Sequence, residues 1–168
     1  MRTLLVGVPL LTLAAVIESS VLPSLRVPGG GTLNLVLVFV LSWTLAGDWN
    51  GGLIWGFLGG LLLDLLSGGP FGASALALVL AAYVASLSEG QFWRSHLLLP
   101  LAAALLCTLV YYSVVLLVLA LSGAALDWLR AITGVLLPAL LINTLAGVPV
   151  FWLLRFLHEL IYPAPVKA

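Results

Sequence analysis

Between Leu97 and Leu121 the chain carries no charged side chain, and it holds five further apolar segments. They run over Leu4–Leu22, Leu33–Ala46, Gly51–Leu66, Gly72–Leu87 and Val135–Leu157. A helix needs about 20 apolar residues to cross the hydrocarbon of a bilayer. The first, fifth and sixth segments meet that length unaided. The second and third must borrow flanking residues or sit where the bilayer is thinner. Six membrane helices in one integral domain covering 1–168 is the expected architecture. A soluble domain carries about 25% charged residues, whereas this chain is 7% charged and 63% hydrophobic. It has too little polar surface for water, so lipid is its solvent.

The breaks between segments are short and rich in Gly and Pro, as in Pro28–Gly31 and Gly68–Pro70, which is turn chemistry. The Ser122–Gly134 break is read as a loop. Pro138 and Pro149 fall inside the last segment, where each removes a backbone donor. Arg2 followed by an apolar run has the outline of a signal peptide. The run is long enough to span and shows no small-residue cleavage site, so it is read as a retained helix. With six spans, Arg2, Arg94, Arg155 and Lys167 share one side and Arg26 and Arg130 the other. The positive-inside rule then puts both termini in the cytoplasm.

Six Lys and Arg balance six Asp and Glu, and no basic run exists to meet nucleic acid. Cys107 is the only cysteine and reads as a small hydrophobe. His96 and His158 are far apart, with no metal-ligand spacing, and no nucleophile–base pattern, P-loop or dinucleotide fingerprint occurs. Neither an enzyme nor a cofactor or metal is expected. Trp49, Trp93 and Trp128 lie near predicted helix ends and suit the headgroup layer, while Trp43, Trp55 and Trp152 lie deeper.

The segment Gly52–Gly72 holds the most information. Gly52, Gly56 and Gly60 recur every four residues, a bare stripe that lets another helix approach closely. Asp64 lies beside that stripe, and a carboxylate at membrane depth turns toward protein or a wet cavity. On the predicted topology Glu18, Arg26, Asn34 and Asp64 gather around one outward-facing polar patch. Asn143 and Thr144 read as hydrogen-bonding glue between helices.

Gly52, Gly56-Phe57, Gly60-Leu61, Asp64 and Phe71-Gly72, with Ala82-Tyr83 one span later, resemble the glycine-spaced segment of the bacterial rod-shape-determining membrane protein MreD family. The distinctive part covers about a fifth of the chain, and size, span count and hydropathy match elsewhere. The chain departs from the family at Thr32-Leu33-Asn34-Leu35, where a proline–aspartate pair is expected. The resemblance implies a non-enzymatic subunit of the cell-elongation machinery for peptidoglycan synthesis in the bacterial cell membrane. It implies binding to MreC, work alongside RodA and a class B penicillin-binding transpeptidase, and an indirect link to the MreB filament. It also implies a fold similar to the substrate-binding subunits of energy-coupling-factor vitamin transporters.

The resulting expectation is a scaffold in which Gly52, Gly56, Gly60, Asp64 and Gly72 pack helices and receive a partner's helix. Self-association is left open. A small-solute binding subunit using the outward patch is the alternative, with Ser122–Gly134 and Trp128 as its lid. An ion-coupled channel titrating Asp64 is the third and weakest reading.

Overall fold

The computed structural model describes residues 2–22, 31–87 and 98–161. Among the described residues every regular element is helical: α1 (Arg2–Ser20), α2 (Leu35–Leu45), α3 (Trp49–Ser67), α4 (Ala73–Ser86), α5 (Leu98–Leu121) and α6 (Trp128–Ile161). Each answers to one of the six apolar segments. By length and composition α3, α5 and α6 can cross a membrane, whereas α2, α4 and the Gly7–Ser20 stretch of α1 are shorter. Among the described residues, length and composition thus single out three of the six helices as able to span on their own.

Two boundaries moved for the same reason. Asp48 accepts a hydrogen bond from the Gly51 amide at 2.8 Å, and Asp127 accepts one from the Arg130 amide at 3.2 Å. A carboxylate in the cap position satisfies an amide that the helix leaves without a partner. It thereby starts α3 at Trp49 and α6 at Trp128, so most of the expected Ser122–Gly134 loop is helix. Gly134 and Pro138, which look like breaks, sit in or just after a π-helical stretch at Ile132–Leu136. Proline clashes with the carbonyl four residues back, here that of Gly134, and a wider turn relieves the contact.

α2 is the hub. It packs against α1, α3, α4, α5 and α6, and nine of its eleven residues are buried. A helix apolar on every side belongs in the centre of a bundle, and LVLVFVLSWTL is such a sequence. Its hydroxyls return to their own backbone: Ser42 donates to the Val38 carbonyl and Thr44 to that of Val40. Around the hub α1 packs on α3, α3 on α4, α4 on α5, and α5 on α6.

At the end of the bundle where α2 meets α3, Trp43 and Trp55 stack with ring centroids 4.3 Å apart, and His158 meets Trp43 edge-on at 5.2 Å. The Trp43 indole N–H donates to Asp48 at 3.0 Å. Trp43 and Trp55 are thus buried packing residues, Trp43 with a polar anchor. Trp49, Trp128 and Trp152 are exposed, and Trp93 lies outside the described residues.

Candidate functional site

At the opposite end of the bundle two acidic side chains each close the start of the next helix. Asp64, one turn from the end of α3, is 5% exposed. Its Oδ2 accepts from the amides of Gly72 at 2.9 Å and Ala75 at 3.2 Å, and its Oδ1 accepts from Ser74 at 2.8 Å. Gly72 precedes α4 at φ +93°, a conformation that excludes a side chain's usual backbone geometry. It offers no side chain to cap α4, so the carboxylate of the preceding helix does so, placed where the helix dipole favours negative charge. Gly68 ends α3 at φ +66° and allows the tight return.

Glu18 acts similarly one hairpin earlier, accepting from the Val36 amide at 3.1 Å. The Asn34 side chain accepts from the Leu37 amide at 2.7 Å, and the Asn34 amide donates to Asn143 Oδ1 of α6 at 2.8 Å. The start of α2 is thereby tied to α1 and α6 at once. Tyr111 of α5 lies beside the Ser74 and Asn34 side chains and within electrostatic reach of Glu18. It connects the Asp64 group to the Glu18 group. Asn34→Ala removes a cap worth about 1 kcal/mol, and a lowered unfolding temperature in detergent with unchanged helix content is the expected result.

Of the expected polar patch, Glu18 and Asn34 both bond the first turn of α2, while Asp64 bonds the Ser74 amide and Tyr111 lies between Ser74 and Asn34. Arg26 lies outside the described residues. The side-chain oxygens of Glu18, Asn34 and Asp64 accept from backbone amides of the chain itself, so these groups close helix ends instead of lining an open patch. Asn143 is the expected interhelical glue through its Oδ1, while among the described residues its Nδ2 and the Thr144 hydroxyl, also expected as glue, have no hydrogen-bond partner. Ser74 and Tyr111 were not expected here, because neither stands out in an apolar sequence until the fold brings them together.

The glycine stripe also faces inward. A methyl on Gly60 would enter the backbone of α4 at Ala75, and one on Gly56 would stand 3.1 Å from the Leu78 carbonyl. A methyl on Gly52 would meet Thr44 of α2. The helix received by the stripe is therefore α4 with part of α2, not one from another protein. Gly59, which sequence reading passed over, clears Val36 and Leu11 in the same manner. Small residues at such contacts let membrane helices approach closely.

The neighbouring positions point the other way. Phe57 and Leu61 of α3 and Phe71, Gly72, Ala75, Leu76 and Val79 on the α4 side line an apolar cleft open to the surroundings. Phe57, Phe71 and Leu76 are exposed.

A family model described as rod shape-determining protein MreD matches residues 1–160. The chain belongs to the MreD family. No solved structure matches it, so the expected likeness to transporter subunits rests on the family resemblance alone. Membership gives a rod-shape-determining membrane protein, of a kind not known as an enzyme. The MreD-like residues themselves divide in two: Gly56, Gly60 and Asp64 hold α3 to α4, while Phe57, Leu61 and Phe71 face the open cleft. Among the described residues no group of three or more His, Cys, Asp or Glu side chains is placed to hold a metal ion.

Proposed function

We propose that this chain is a non-enzymatic scaffold of the rod complex, crossing the cell membrane six times with both termini in the cytoplasm. In this reading it binds the membrane helix of MreC and supports the RodA–transpeptidase pair in peptidoglycan synthesis, with MreB attached indirectly. The observation that carries the reading is the division of one short segment into an inward half that rigidifies a hairpin and an outward half that lines a cleft. Exposed aromatic residues serve as anchors in well-packed interfaces, and helix association in lipid depends on close packing. Docking is placed at Phe57, Leu61, Phe71 and Leu76, with Gly72 and Ala75 as the floor.

The test is copurification of MreC with a Phe57→Ala/Phe71→Ala variant that elutes as a folded monodisperse species. Recovery should fall at least tenfold, and undiminished recovery contradicts the docking site. The solute-binding alternative has less support, because the acceptors it would use are engaged by backbone amides. Its test is thermal stabilisation of the purified chain by a vitamin-like solute, and no shift is expected.

A further inference from the structure

The α3–α4 turn and the α5–α6 arm reach different heights at the Asp64 end. Tyr111 of α5 lies beside Ser74 in the first turn of α4, and Gly31, just before α2, is packed on Pro138 of α6. From those levels α5 continues to Leu121 and α6 reaches back to Trp128, each about 15 Å of helix at 1.5 Å per residue. On the other side α3 rises from Asp64 only to Ser67, about 5 Å. The α5–α6 arm thus overtops the α3–α4 turn by about 10 Å along the helix axes.

The chemistry of the two summits is also different. The arm is apolar until its top: Leu117, Ile132 and Val135 are exposed, and Asp127, Trp128 and Arg130 come only at the tip. Trp and paired charges mark the headgroup layer. The lower summit is polar backbone: Ser67, Gly68 and Gly69 are exposed. The last carbonyls of a helix have no partner within it. Irregular backbone facing lipid is not tolerated in hydrocarbon. With the arm's tip at headgroup level, the turn lies inside the hydrocarbon of an unperturbed bilayer.

We infer that the lipid surface itself is the partner here: the leaflet at the Asp64 end is drawn down at the α3–α4 hairpin, so that headgroups and water reach the α3–α4 turn while the α5–α6 arm stays in full-thickness lipid. The protein sits across a step in the membrane. Hydrophobic mismatch supplies the cause, since a bilayer thins to meet a short apolar surface. This does not depend on the docking proposal, and it is a property of the chain without any partner.

The test uses the full chain in phosphatidylcholine nanodiscs with a spin label at Gly69→Cys or at Leu117→Cys. Both positions are exposed, a side chain at Gly69 meets only Ser67 Oγ at 3.5 Å, and the native Cys107 is fully buried. Leu117 stands at least as high as Gly69, so a flat membrane makes it the wetter site. The expected result is the reverse: several-fold greater access of a water-soluble nickel chelate at 69, with oxygen-rich, chelate-poor surroundings at 117. Two results overturn the inference: chelate exclusion at 69, which puts the turn in hydrocarbon, or equal wetting at both sites, which puts the whole end above a flat membrane.

Discussion

Asp64→Ala should cost this protein about 3–5 kcal/mol, because it strands two buried amides and one half-buried amide at about 1–3 kcal/mol each, partly relieved by relaxation. The amides of Gly72, Ser74 and Ala75 all depend on that one carboxylate, and they begin the helix that packs most closely on α3. Asp64→Asn is not neutral either. Turned to keep the two bonds of Oδ2, it sets an amide N–H against that of Ser74, and about 2 kcal/mol is expected to be lost. Unfolding temperatures of detergent-solubilised wild type, Asn and Ala variants should fall in that order. An Asp64→Ala variant as stable as the wild type would mean that water replaces the carboxylate, and the hairpin would need another explanation.

Gly60→Leu should be more damaging still. Even a methyl at this position enters the α4 backbone at Ala75, and backbone, unlike a side chain, has no alternative rotamer. Overpacking a core costs about 1–3 kcal/mol when neighbours can shift, and here the neighbour is a helix whose other face is buried against α2 and α5. The expected outcome is loss of the monodisperse species, with Gly60→Ala strongly destabilised. Gly69→Ala, which meets nothing closer than Ser67 Oγ at 3.5 Å, should match the wild type. The contrast between two glycines of one segment separates a packing effect from a general intolerance of substitution.

The order of elements was legible because apolar runs in a membrane protein are long and their breaks are few. What the runs could not reveal was depth. α2 and α4 follow their short apolar runs to within two residues at each end, whereas α3 starts two residues before its run at the Asp48 cap, and the length of a run does not record where a cap will fall. The caps at Asp48 and Asp127 were passed over since a lone acidic residue near a span reads equally well as a solvated loop. Pro138 lies inside the last helix as expected, and the π-helical turn just before it is the feature the sequence did not announce.

At the site, the spacing of Gly52, Gly56 and Gly60 correctly announces that a backbone comes close. It does not say whose backbone, since a helix of the same chain and a helix of a partner demand the same bare stripe. The pairing of Glu18 with Val36 and of Asn143 with Asn34 was likewise beyond a one-dimensional reading, because it depends on which helices are neighbours. Phe57, Leu61 and Phe71 stand beside the glycines in the sequence, and only the packing of the glycine face against α4 turns them outward.

One segment has a structural inward face and an outward face proposed here to meet MreC, and photocrosslinking in cells tests that division most directly. A photoreactive residue is placed at Phe57 or Leu76 on the cleft and, for comparison, at Leu153 or Leu145 on exposed α6 surface. Adducts with MreC at positions 57 and 76, and none at 145 or 153, are the expected result. Adducts confined to 145 or 153, with 57 and 76 silent, would contradict it.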